Sequence, residues 1–116
     1  MNLPQARPSD RRNHDRHPMR TSAVITLPDR RQIAARLLDL GKGGAGVVCD
    51  FNLVVGLELS LRMSLPARPD GNAVFEARAV VRNCTLAGSD GGFRLGLEFQ
   101  PLSAAATAAL KGALPL

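Results

Sequence analysis

The sequence predicts an all-β domain: a small six-stranded antiparallel β-barrel with a flexible N-terminal arm and a short C-terminal helix. Three observations carry this expectation. Apolar residues recur with period two along several short stretches, as in strands with one dry and one wet face. Turn-forming residues separate those stretches; Gly (11) and Pro (8) are frequent for 116 residues. The strands are half polar, which excludes a parallel sheet buried on both faces. Short strands with tight turns followed by one helix fit a small barrel.

The elements follow in order. Residues 1–17 are polar, contain proline and have no apolar period, so they read as a flexible arm. Residues 18–116 then form the barrel and helix. Met19, Thr21, Ala23, Ile25 and Leu27 alternate with Arg20, Ser22, Val24 and Thr26, a strand ended by Pro28 and Asp29. A second strand runs over 32–38, a loop over 39–44, and a short apolar strand over 45–49. The clearest strand is 57–65, where Leu57, Leu59, Leu61, Met63 and Leu65 share one face. In 74–84, Phe75, Ala77, Ala79 and Val81 face inward while Glu76, Arg78 and Arg82 face out. A turn at 88–92 leads to the last strand, with Phe93, Leu95, Leu97 and Phe99 on one face. Ser103 can cap an Ala-rich helix reaching about Ala113, placing Leu110 and Leu114 against the barrel.

Composition narrows the function. One domain is the fit for this length. The formal net charge is +5, yet it is uneven. The first 36 residues hold eight Arg and three Asp, while the remaining 80 hold seven cations and seven anions. The barrel is therefore neutral and the arm is basic. All four aromatics are Phe, which argues against a base-stacking platform for single strands. Together with the neutral barrel, this argues against a nucleic-acid partner. Cys49 and Cys84 lie in apolar surroundings without a CxxC spacing, so they read as small buried thiols in a reducing compartment. The longest uncharged run, 99–110, is too short to span a bilayer, and residues 1–25 have no signal-peptide core. The expected setting is cytoplasmic, with no membrane insertion.

Catalysis has little behind it. The only histidines, His14 and His17, flank Asp15 in the arm with no fourth ligand in view, so no metal is expected. No serine or cysteine has a base in a recognisable pattern, and no phosphate-binding glycine motif follows a strand. The expected protein is not an enzyme and carries no cofactor.

Two segments stand out instead. Arg12 and Arg16 form an RxxxR spacing in the arm, with Arg11 just before it. The glycine-rich segment 39–47 contains Asp39, Gly41, Gly43 and Gly44. In this order, and followed by these strands, they resemble the PilZ domain family, whose signature is an RxxxR motif and then a (D/N)xSxxG motif. Asp39 and Gly44 match the ends of the second motif. The run Arg94-Leu95-Gly96-Leu97-Glu98-Phe99 is similar to the family's last strand. The resemblance covers about residues 9–112.

The resemblance implies a receptor for the bacterial second messenger cyclic di-GMP. It implies that the arm closes over ligand on the barrel surface and that the signal passes by contact with an unidentified downstream protein. Ligand contacts would come from Arg11, Arg12, Arg16, Asp39, Gly41, Gly43 and Gly44. The chemistry suits the ligand. An Arg fork meets the N7 and O6 acceptors of guanine, and guanidinium groups hold phosphates. A carboxylate such as Asp39 accepts from the opposite guanine edge. One departure stands out: Gly41 occupies the family's Ser position. The lost hydroxyl is worth roughly 0.5–1.5 kcal/mol, or about two- to tenfold in affinity. It leaves open a second reading, a PilZ-like adaptor that binds no nucleotide and acts only through protein contacts. A homodimer and the ligand stoichiometry also stay open.

Overall fold

Residues 16–115 are described by a computed structural model. Within them six strands close into one antiparallel barrel: β1 (His17–Thr26), β2 (Gln32–Leu40), β3 (Gly44–Cys49), β4 (Glu58–Pro66), β5 (Asn72–Leu86) and β6 (Phe93–Phe99). Their order around the barrel is β1-β2-β3-β6-β5-β4. A 3-10 turn (Gly88–Asp90) joins β5 to β6, and helix α1 (Ala104–Ala113) follows. The arm expected over 1–17 falls almost wholly outside the described residues; only Arg16 and His17 of it are included.

Alternation builds the interior. Leu59, Leu61, Met63 and Leu65 of β4 and Phe75, Ala77, Ala79 and Val81 of β5 all point inward and are buried. Phe75 and Phe99 meet in a tilted pair with ring centroids 5.2 Å apart. Among the described residues no polar or charged side chain is buried. The oily faces of six strands are thus removed from water, each buried Val, Leu, Ile, Phe or Met side chain contributing about 1.5–3 kcal/mol.

Helix α1 starts where the sequence places it. Ser103 caps it, its hydroxyl oxygen accepting from the Ala106 amide at 3.0 Å. Ala106, Ala109, Leu110 and Ala113 are spaced to line one face, and they join the barrel's own core together with Leu114. The helix packs against β4 and β5.

The differences from the expected elements are local. β1 begins at His17, because His17 and Pro18 pair with Leu40 and Asp39. β2 runs on through Asp39 and Leu40, and Gly44 is already in β3, so the expected loop 39–44 shrinks to three residues. β5 extends to Leu86. The β1–β2 turn closes around Arg30, held at φ 75°, with the Asp29 carboxylate accepting from the Arg31 amide. That backbone hydrogen bond holds the Asp29 carboxyl below its ordinary range.

Cys49 is buried, and burial pushes its thiol up. Cys84 is only partly covered, contrary to expectation, because it lies near the end of β5. Strand β6 separates the two, which keeps their backbones roughly 10 Å apart and beyond disulfide reach.

Phe75→Ala would open a cavity at the centre of this core. It should cost about 3–5 kcal/mol, measured by urea unfolding.

Candidate functional site

A dry interior creates a problem for Asp39. Strict alternation from Ile33, Ala35 and Leu37 would point it into the core. A β-bulge prevents this. Leu37 pairs with Val47 and Asp39 with Gly46, so Leu38 is an extra residue and the phase of β2 shifts. Asp39 is turned out and Leu40 goes back in. β5 does the same. Val81 pairs with Leu97 and Asn83 with Gly96, so Arg82 is the extra residue and Asn83 faces out. A third irregularity interrupts β1 between Pro18 and Thr21.

The two outward residues share one row. In register it reads Asp39, Gly46, Gly96, Asn83, across β2, β3, β6 and β5. The middle strands contribute bare backbone, and the reason is steric. A Cβ on Gly46 would stand 2.9 Å from both Asp39 carboxylate oxygens. One on Gly96 would stand 2.6 Å from Asn83 Nδ2. The carboxylate and the carboxamide therefore lie over glycine backbone from opposite sides.

Arg16, just before β1, completes the near end. Its Nη1 donates to Asp39 Oδ1 at 2.7 Å, and the Gly46 amide donates to the same oxygen at 3.0 Å. Such charge-assisted bonds are the stronger kind, and both side chains are half buried. Asp39 Oδ2 takes no hydrogen bond from the described residues. The guanidinium also lies over Gly44, whose missing Cβ would sit 3.1 Å from Arg16 Nη2 and 2.2 Å from the Leu97 carbonyl oxygen.

Above the row lies an open cavity of about 320 Å³. Arg16, Arg82 and Arg94 line it with Asp39, Glu98, Asn83 and the two glycines. Arg82 Nε donates to Glu98 across the β5–β6 pair. Three guanidiniums against two carboxylates leave the lining positive by one charge. It offers forked donors, a carboxylate acceptor and a carboxamide. Such a surface suits a flat polar ring system bearing anionic groups.

The structure brings Arg16, Asp39 and Gly43 together at this cavity, with Gly44 beneath Arg16. Gly41 sits in the β2–β3 turn, its amide donating to the Gly44 carbonyl at 2.9 Å, and does not line the cavity. Arg11 and Arg12 lie outside the described residues. Sequence reasoning did not name Gly46, Arg82, Asn83, Arg94, Gly96 or Glu98 as site residues, although all line the cavity. Gly96 was legible only as a break in the polar face of the last strand, and Asn83 only through a register that no local pattern encodes. Among the described residues there is no cluster of metal-ligating side chains, and no helix is long and apolar enough to cross a membrane.

Comparison with known proteins adds the following. The family model for the PilZ domain matches residues 10–114. No curated protein matches the chain. Among solved structures, the inhibitor of motility MotI/DgrA from Bacillus subtilis superimposes with a TM-score of 0.70 at 22% identity, over 83% of this chain and 46% of that one. The chain thus spans less than half of that protein's length. The PilZ domain of YcgR from Escherichia coli, with c-di-GMP, gives a TM-score of 0.58 at 18% identity, over 79% and 76% of the two chains.

The steric reading of the hairpin is open to a paired test. Gly44→Ala pushes a methyl against backbone and should cost about 1–3 kcal/mol. Gly43→Ala meets nothing within 4 Å and should stay within about 0.5 kcal/mol of the parent in the same urea titration.

Proposed function

The chain belongs to the PilZ domain family, and from that premise we propose that it is a cyclic di-GMP receptor that relays the signal by protein–protein contact, with no catalysis of its own. One observation carries the reading: the Arg16–Asp39 pair at the rim of a cavity floored by bare backbone. The structural neighbour YcgR, whose PilZ domain is described with c-di-GMP, supports it.

The roles follow from the chemistry. Asp39 Oδ2 accepts from the N1–H and N2–H₂ edge of a guanine, while Oδ1 stays on Arg16 and the Gly46 amide. The remaining Arg16 donors meet a phosphate or the opposite guanine edge. Gly46 and Gly96 let the Asp39 carboxylate and the Asn83 carboxamide lie close on the sheet, where they face the ligand. Arg11 and Arg12 close over the ligand from the arm and add two positive charges to a lining that carries one in excess. The resulting excess of three positive charges more than offsets a dianionic ligand. Ordering of the arm changes the surface shown to a downstream protein, which makes binding a switch. The setting is the cytoplasm, where such a messenger is met.

Gly41 is compatible with this role. It is not among the glycines at positive φ, so a serine there meets no left-handed backbone strain. The missing hydroxyl weakens the site without dismantling it.

Calorimetric titration with cyclic di-GMP tests the proposal. The parent should bind, Arg16→Ala and Asp39→Ala should each lose roughly tenfold or more, and Gly41→Ser should bind equally or up to about tenfold tighter. A parent chain that gives no heat up to millimolar ligand would replace the receptor by a non-binding adaptor.

A further inference from the structure

A second group of cations gathers on the same outer face. Arg36 of β2 and Arg94 of β6 both stand in register with Val48 of β3. That row lies two residues along β3 from Gly46, roughly 7 Å away. Arg20 joins from β1. All three turn toward Asp90, in the 3-10 turn between β5 and β6. Arg36 Nη2 donates to the Asp90 carbonyl at 2.9 Å. Arg20 Nη1 stands 3.7 Å, and Arg94 Nη2 4.0 Å, from the Asp90 carboxylate.

The contacts are unbalanced. Two guanidiniums share one carboxylate while a third takes only the backbone carbonyl of the same residue, and both charged contacts are longer than a good hydrogen bond. Asp90 reaches from a turn and meets each guanidinium with a single oxygen. A phosphodiester is a better match, since it can accept from neighbouring guanidinium forks at once. The cluster is also continuous with the cavity, because Arg94 lines both.

We propose that Arg20, Arg36 and Arg94 form a second anion subsite, which takes a phosphodiester while Asp90 holds its place in the unliganded protein. The inference rests on reading the adjoining cavity as the nucleotide site. The phosphodiester belongs to the bound nucleotide, or to a second one stacked on it, and stoichiometry separates these. Neither Arg20 nor Arg36 belongs to the RxxxR spacing or the glycine segment. Asp90 is a competitor rather than a ligand contact, so removing its charge should strengthen binding.

Titration of cyclic di-GMP into the full chain provides the test. Asp90→Asn, which keeps the shape and suits a turn, should bind about three- to tenfold tighter. Arg20→Ala and Arg36→Ala should bind about three- to tenfold weaker, or lose the second of two equivalents. Asp90→Ser serves if the asparagine variant folds poorly, as judged by thermal melts. Binding by the parent with unchanged affinity and stoichiometry in all these variants overturns the subsite and leaves the receptor reading standing. If the parent binds no nucleotide, inorganic pyrophosphate followed by NMR at the arginine Nε–H groups tests the subsite alone. Shifts at Arg20 and Arg36 that grow in Asp90→Asn uphold it, and their absence overturns it.

Discussion

The barrel's closure around an entirely apolar interior is the constraint on which the site depends. No polar side chain among the described residues is buried, so a carboxylate in a core strand must be turned outward. β2 meets that demand with one extra residue, Leu38, and β5 meets it for Asn83 with Arg82. Each bulge costs a rung of the ladder and in return re-aims one polar group. Because the two bulges flank the β3–β6 pair, both groups arrive on one outer face in one row. The site is thus a by-product of how the sheet keeps its inside dry.

Electrostatics then divides this face. Arg16 and Asp39 satisfy each other at one end, with a backbone amide as third partner, which leaves the carboxylate fixed and one of its oxygens uncommitted by the described residues. At the other end Arg20, Arg36 and Arg94 share Asp90. The net charge of +5 is a poor guide to this arrangement, since it is concentrated in the first third of the chain. What matters is that arginines from β1, β2, β5 and β6 and from the residue before β1 all converge on one side of the barrel. The Arg bias of the cations fits that use, because a guanidinium fork can hold a carboxylate now and a phosphate later with the same geometry.

Much of the fold was legible because alternation is a local signal. The stretch 57–65 keeps its period at every position, and Ser103 announces the helix. Arg16 and Asp39 were legible through motif order. Their partners were not. A bulge is one added residue and leaves no trace in composition, so Asp39 reads as a loop residue although it is in β2. Asn83 and Gly96 are neighbours only through cross-strand register. Arg36 and Asp90 are 54 positions apart and meet only because β3 pairs with β2 on one side and β6 on the other. Local pattern gives strands and their faces; which polar residues become neighbours is a property of topology.

The strip of bare backbone at Gly46 and Gly96 also bears on how such a domain can change over generations. Both glycines face outward, and what a new methyl group would meet is the tip of Asp39 or of Asn83, not the packed interior. A single base change at either codon could therefore crowd the floor while the barrel beneath it still folds. The substitution acts on the outer face and leaves the core packing alone. A lineage can therefore alter the polar groups of this face while keeping the core beneath it.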